Sequence, residues 1–118
     1  MSFRVRRKLV CDPEFLALPP EARETFITVF RELAASDTLD LRGIRYFVEE
    51  LRQKRRIAPG GIFSVHVAEP IHGRWLWRGV FFRRDTDVVF FAFGPRVPDF
   101  YERMSRARVA LARTDDER

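Results

Sequence analysis

The sequence is poor in the residues that make covalent staples and thiolate metal sites: Cys11 is the only cysteine among 118 residues. A disulfide framework and a cysteine-rich zinc centre are therefore excluded, and a reducing, cytoplasmic setting is expected. Histidine is scarce as well, limited to His66 and His72, and no HxH or HExxH spacing occurs. No metal centre and no cofactor are implied by such a donor set. No apolar run approaches the ~18–20 residues of a membrane span. The basic stretch Met1–Lys8 is not followed by a hydrophobic segment, so no export signal is expected. Lysine is nearly missing: two of the 22 basic residues are lysine and the rest are arginine.

What the chain does have is apolar and aromatic mass. It is 46% hydrophobic and carries twelve phenylalanines, enough for one core, and its length suits one domain over residues 1–118 with a frayed tail at 114–118. The net charge of +5 is unevenly laid out. Basic residues cluster at Arg4, Arg6, Arg7 and Lys8, at Arg52, Lys54, Arg55 and Arg56, across the acid-free stretch Gly73–Arg84, and at Arg96, Arg103, Arg106 and Arg108. A guanidinium grips phosphate oxygens in pairs and stays charged when partly buried, so arginine clusters among aromatics fit a polyanion or an acidic protein. The alternative source of the arginine bias is a GC-rich genome and an ordinary solvated surface.

Hydrophobic periodicity gives the element order. Phe3, Val5 and Leu9 alternate with Arg4, Arg6 and Lys8, the pattern of a half-buried strand. Residues 12–19 suit a short turn or helical loop. Pro19-Pro20 opens a helix in which Ala22, Phe26, Val29, Phe30 and Leu33 form an apolar face, and Ser36-Asp37-Thr38 ends it. Asp40 caps a second expected helix with Ile44, Phe47, Val48 and Leu51 at helical spacing, although Gly43 and the aromatic content leave a strand open. After the turn Ile57–Gly61 come an alternating strand at Ile62–Ala68, a β-prone stretch from Trp75 to Phe82, a hairpin at Asp85-Thr86-Asp87, and the apolar run Val88–Phe93, suited to a strand buried on both faces. Trp75 and Trp77 share one strand face by parity and are expected in the core. A last helix carries Phe100, Met104, Ala107 and Leu111. The fold class is thus α+β, order β-α-α-β-β-β-α, with an antiparallel-rich sheet packed against helices.

That order, and above all the run WLWRGVFFRRDTDVVFFAFGPRVPDFYERMSRAR, resembles the RelE/ParE/HigB superfamily of bacterial type II toxin–antitoxin toxins. Members that cut mRNA on the ribosome tend to have a Gly-x-Arg step after the last strand and then a helical tyrosine, which here read Gly94-Pro95-Arg96 and Tyr101. The chain departs from the family at Ser64 and His66, where two lysines are usual, and at Pro95-Arg96, in place of a Lys-Lys pair. The resemblance implies a RelE-like fold, a ribosome-dependent mRNA interferase of the RelE or HigB kind, and an acidic cognate antitoxin. Inhibition of DNA gyrase, as in ParE-like members, or RNA or protein binding without catalysis, stay open as alternatives.

Cleaving RNA without a metal needs a group to take the 2′-hydroxyl proton, positive charge for the phosphorane and a proton for the leaving oxygen. Arg78 is the leading candidate, because a charge set mid-strand among apolar residues is costly without a partner. Arg96 leaves a Gly-Pro step where a short loop aims a guanidinium into a cleft. Tyr101 suits base stacking or proton donation, and His66 titrates in the useful range. Arg83, Arg103, Arg106 and Arg108 are candidates for contacts to substrate phosphates. Each has a plainer reading as well: a solvent-face arginine, a loop charge, a tyrosine capping the core, a structural histidine.

Overall fold

The computed structural model describes residues 2–51 and 61–97. The expected turn at 57–60, the basic cluster 52–56, the last helix with Tyr101, Arg103, Arg106 and Arg108, and the tail 114–118 lie outside the described residues. Strand β1 (Arg4–Arg7) is followed by a 3-10 turn (Leu9–Cys11) and two helices, α1 (Asp12–Leu16) and α2 (Pro20–Ala34). Four strands come next: β2 (Tyr46–Glu50), β3 (Ile62–Ala68), β4 (Trp75–Arg84) and β5 (Asp87–Pro95). They form one sheet in the order β1-β5-β4-β3-β2. β1 runs parallel to β5 and the other pairings are antiparallel, so the fold is α+β with a mixed sheet.

The face under the helices holds the main core. Ala22, Phe26, Val29 and Leu33 of α2 are buried against Val65, Val67, Phe81, Val88, Phe90 and Phe93 of the sheet. Phe26 and Phe93 meet edge to face with centroids 5.2 Å apart. Gly79 is required here, since a Cβ on it would fall 2.7 Å from the Phe26 ring. The opposite face carries a smaller apolar cluster of Leu51, Ile62, Val80, Phe82, Val89, Phe91 and Ala92, with Val97 packed on it.

The expected second helix over 40–51 is instead a loop followed by β2. Its assumed apolar face fails at Ile44, which is 99% exposed, whereas Tyr46 and Val48 are buried in strand alternation. Tyr46 lies across Gly43, where a side chain would collide with its ring, and its hydroxyl donates to Glu32 of α2. Tertiary packing overrides a helical spacing built on too few residues. The first strand is also shorter than the alternation implies. It stops at Arg7, and the 3-10 turn leaves Lys8 1% exposed and Leu9 38% exposed, reversing the expected pattern.

Two irregularities of pairing decide what each face displays. In β4, Val67 of β3 pairs with Trp77 and Ala68 pairs with Trp75, so Leu76 is an extra, bulged residue. A bulge inverts the alternation beyond it. Trp77 therefore packs on the helix-side core while Trp75 meets Phe47 across the other face. The expectation that both tryptophans share one face is corrected by this single inserted residue. In β5, Phe81 pairs with Phe90 and Val80 with Ala92, so Phe91 is bulged and both Phe91 and Ala92 join the second cluster.

Candidate active site

One row of side chains crosses the sheet on the face away from the helices. Phe47 of β2 pairs with His66 of β3, His66 with Arg78 of β4, and Arg78 with Gly94 of β5. Gly94 contributes no side chain to the row. Arg78 is 8% exposed and His66 is 4% exposed. Arg96 follows the end of β5, where its backbone N–H donates to the carbonyl of the bulged Leu76 at 2.8 Å. The bulge thus both turns Trp75 toward this face and fixes the exit of the chain toward Arg96.

The histidine ring is held from two sides. It stacks on Phe47 with centroids 4.5 Å apart and a 14° interplanar angle. Its Nε2 lies 3.1 Å from Glu49 Oε2, the diagonal neighbour on β2. Burial, the charge of Arg78 and then that of Arg96 hold the His66 pKa below its ordinary 6.5, although Glu49 pulls the other way. The ring is therefore neutral at neutral pH, and because a carboxylate only accepts, its proton sits on Nε2 and is donated to Glu49. Among the described residues, His66 Nδ1 and Ser64 Oγ are buried without a hydrogen-bond partner. The ring's side chain is 5% exposed against 54% for Glu49, so the carboxylate is the part of the pair that meets solvent.

The rim beside this row is built by the loop between β3 and β4. Glu69 accepts backbone N–H bonds from Ile71 at 2.9 Å and His72 at 2.6 Å, and its own N–H donates to the Arg74 carbonyl at 2.8 Å. Desolvation works against it, but the N–H groups of Ile71, His72 and Arg74 together hold the Glu69 pKa below its ordinary value. Gly73, at φ 68°, supplies the left-handed residue that this closed loop needs. Trp75 leaves the loop 37% exposed, its ring perpendicular to Phe47 at 4.8 Å.

Of the residues singled out by sequence, His66, Arg78 and Arg96 come together on this face. Arg83 does not join them. It lies near the hairpin end of β4, with its guanidinium 5.2 Å from the Phe3 ring and its Nε donating to the Asp85 carbonyl. Tyr101, Arg103, Arg106 and Arg108 lie outside the described residues. Sequence reasoning missed Phe47 and Glu49, which reach the site through pairing with β3, and it placed Trp75 on the wrong face. Cys11 is buried, with its thiol 3.1 Å from the Lys8 carbonyl. Among the described residues, no group of three or more His, Cys, Asp or Glu side chains is placed to hold a metal ion. None of the described helices is long and apolar enough to cross a membrane.

A sheet face bearing a buried arginine, a neutral histidine–carboxylate pair and an exposed indole is suited to holding a phosphodiester and moving a proton beside it. Among solved structures, the chain is similar to the toxin RelE of E. coli, in a double arginine-to-alanine mutant in the free state: 17% identity, 86% of this chain and 93% of that chain covered, TM-score 0.48. No family model and no curated protein matches the chain.

Proposed function

We propose that this chain is a toxin of a type II toxin–antitoxin system, a RelE- or HigB-like mRNA interferase that cuts RNA on the ribosome in the cytoplasm as a single domain. The observation that carries the reading is the meeting of His66, Arg78 and Arg96, from three separate stretches of sequence, on one face of the sheet.

In this reading Arg78 and Arg96 hold the scissile phosphate and stabilise the phosphorane, because oriented cations act where charge develops. The solvent-facing Glu49 carboxylate takes the proton of the 2′-hydroxyl, and His66 behind it holds the carboxylate in place through its N–H. The 2′-oxygen bonds to phosphorus, the bond to the 5′-oxygen breaks, and the departing oxygen receives its proton from Tyr101 or from water. A 2′,3′-cyclic phosphate remains. Arg103, Arg106 and Arg108 are assigned to phosphates outside the scissile position, whereas Arg83, held against Phe3 and the Asp85 carbonyl away from the row, takes no part.

The partner in this reading is an acidic antitoxin that covers the basic cleft. β1 lies at one edge of the sheet, and a groove of about 440 Å³ beside it is lined by Val5, Arg6, Arg7, Phe30, Arg31 and Ala34. An edge strand with basic and apolar lining suits an extended acidic segment added by strand pairing.

The test is cleavage of a translated mRNA by purified protein with ribosomes and excess chelator, with cyclic-phosphate ends mapped. Cleavage lost in Arg78→Ala and Glu49→Gln is expected. No cleavage, together with unaffected growth on expression, sinks the reading, and filamentation with DNA damage points to a gyrase-directed toxin instead.

A further inference from the structure

We propose that Trp75 is the platform on which a nucleobase next to the scissile phosphate stacks, turned into the site by the bulge at Leu76. The proposal rests on the reading of this face as an RNA site and adds what that reading lacks, a group that grips a base.

Three observations carry it. The bulge reverses the alternation of β4, so the indole lies on the face of His66 and Arg78 rather than in the core with Trp77. Its support is fixed. Phe47 is clamped against His66 on one side and meets Trp75 edge to face on the other, and the loop before Trp75 is closed around the Glu69 carboxylate. Finally, the ring is available: it is 37% exposed, and among the described residues it makes no stacked ring contact.

The distances suit a nucleotide. Trp75 pairs with Ala68, two residues beyond His66 on β3, and positions two apart on a strand lie about 7 Å from each other. A base on the indole therefore has its sugar and phosphate within reach of the row that contains Arg78. Unpaired bases stack on aromatic side chains whatever their identity, and a rigid ring pays little entropy on binding. Basic residues lie near the platform: Arg74 precedes it in sequence, its Nε 3.7 Å from Glu69, and Arg42 lies 5.5 Å from the ring of Phe47, which Trp75 meets edge to face. That charge favours a nucleic acid over an apolar peptide as the occupant.

The chain has two tryptophans, so Trp77→Phe leaves Trp75 as the single indole. In that background, emission is followed during titration with a short 2′-O-methyl oligoribonucleotide, which cannot be cut, at low salt. Saturable quenching is expected, with little quenching by the same strand made abasic. Trp75→Ala is expected to weaken binding of the oligonucleotide about ten- to a hundredfold, and Trp75→Phe to keep most of it. Equal quenching by the abasic strand, or unchanged affinity in Trp75→Ala, overturns the proposal. Arg78-dependent cleavage combined with an unresponsive indole leaves the catalytic reading standing and removes the platform. Base-dependent quenching without any cleavage keeps the platform and removes the catalytic reading. An indole that answers only to a protein partner, and never to RNA, overturns the platform as well.

Discussion

The two faces of this sheet share the same strands yet are built to opposite rules. Under the helices, Phe26, Phe81, Phe90 and Phe93 fill a continuous aromatic core. The other face begins as an apolar cluster near Phe82 and Phe91 and then turns polar, holding Ser64, His66 and Arg78, three of the four buried polar or charged residues described. Burying such groups costs free energy unless they are paired, so a fold needing only stability has little use for them. One face keeps the chain folded by apolar packing, and the other holds polar and charged groups in fixed places.

Phe26→Ala should expose that division most strongly. Removing a fully buried phenylalanine is expected to cost about 3–5 kcal/mol in urea unfolding. Arg78→Ala should shift the unfolding midpoint less, yet lower cleavage by about 10²–10³. Equal stability losses in the two variants would erase the contrast between the faces. Their neighbour sharpens it: Gly79→Ala adds a methyl against the Phe26 and Phe93 rings at 2.7 and 3.1 Å, and overpacking of this kind costs about 1–3 kcal/mol. Adjacent residues of one strand should thus separate cleanly, one read in activity and the other in stability.

The pH dependence of stability between about pH 5 and 8, where histidine titrates, probes the polar face. His66 is held below 6.5 in the folded protein, so between that lowered value and 6.5 the unfolded chain binds more protons. Its contribution to stability is full above 6.5 and is lost as pH falls through the folded value. Comparing wild type with His66→Gln between about pH 5 and 8 should show a wild-type advantage that fades on acidification. An advantage that grows on acidification would mean that Glu49 dominates and the ring is charged. The geometry argues otherwise, since Glu49 is 54% exposed and screened while the ring is 5% exposed.

Much of the fold was legible because α2, β3 and the hairpin each repeat one period over enough residues to be unambiguous. Arg78 and Arg96 stood out because charge in an apolar strand, or at a Gly-Pro exit, is locally anomalous. The failures share another cause. The spacing of Ile44, Phe47, Val48 and Leu51 fits a helix as well as a strand does, and only the packing of Tyr46 against α2 decides between them. Trp75 was misplaced because parity assumes unbroken pairing, and a bulge is a property of two strands together. Glu49 went unseen for the same reason, since what brings it to His66 is the register of β2 on β3.

The smallest expected effect lies where neither face is involved. Arg4 donates to both carboxylate oxygens of Asp87, at 2.9 and 3.2 Å, joining β1 to β5 at the edge of the sheet. The hydrogen bond from Arg4 comes first among the causes that hold the Asp87 pKa below 3.8, with desolvation opposing it. The Arg4 side chain is 62% exposed, so water and salt weaken the attraction even in this forked geometry. A double-mutant cycle with Arg4→Ala and Asp87→Ala is expected to give a coupling of about 0.2–1 kcal/mol that shrinks with added salt. The stability that Asp87 supplies is full above its unfolded value near 3.8 and is lost as pH falls through the lower folded value, so the coupling should vanish in acid. A coupling several times larger would make this pair a main tie for the parallel strand β1, and the edge would then depend on charge where the face under the helices depends on packing.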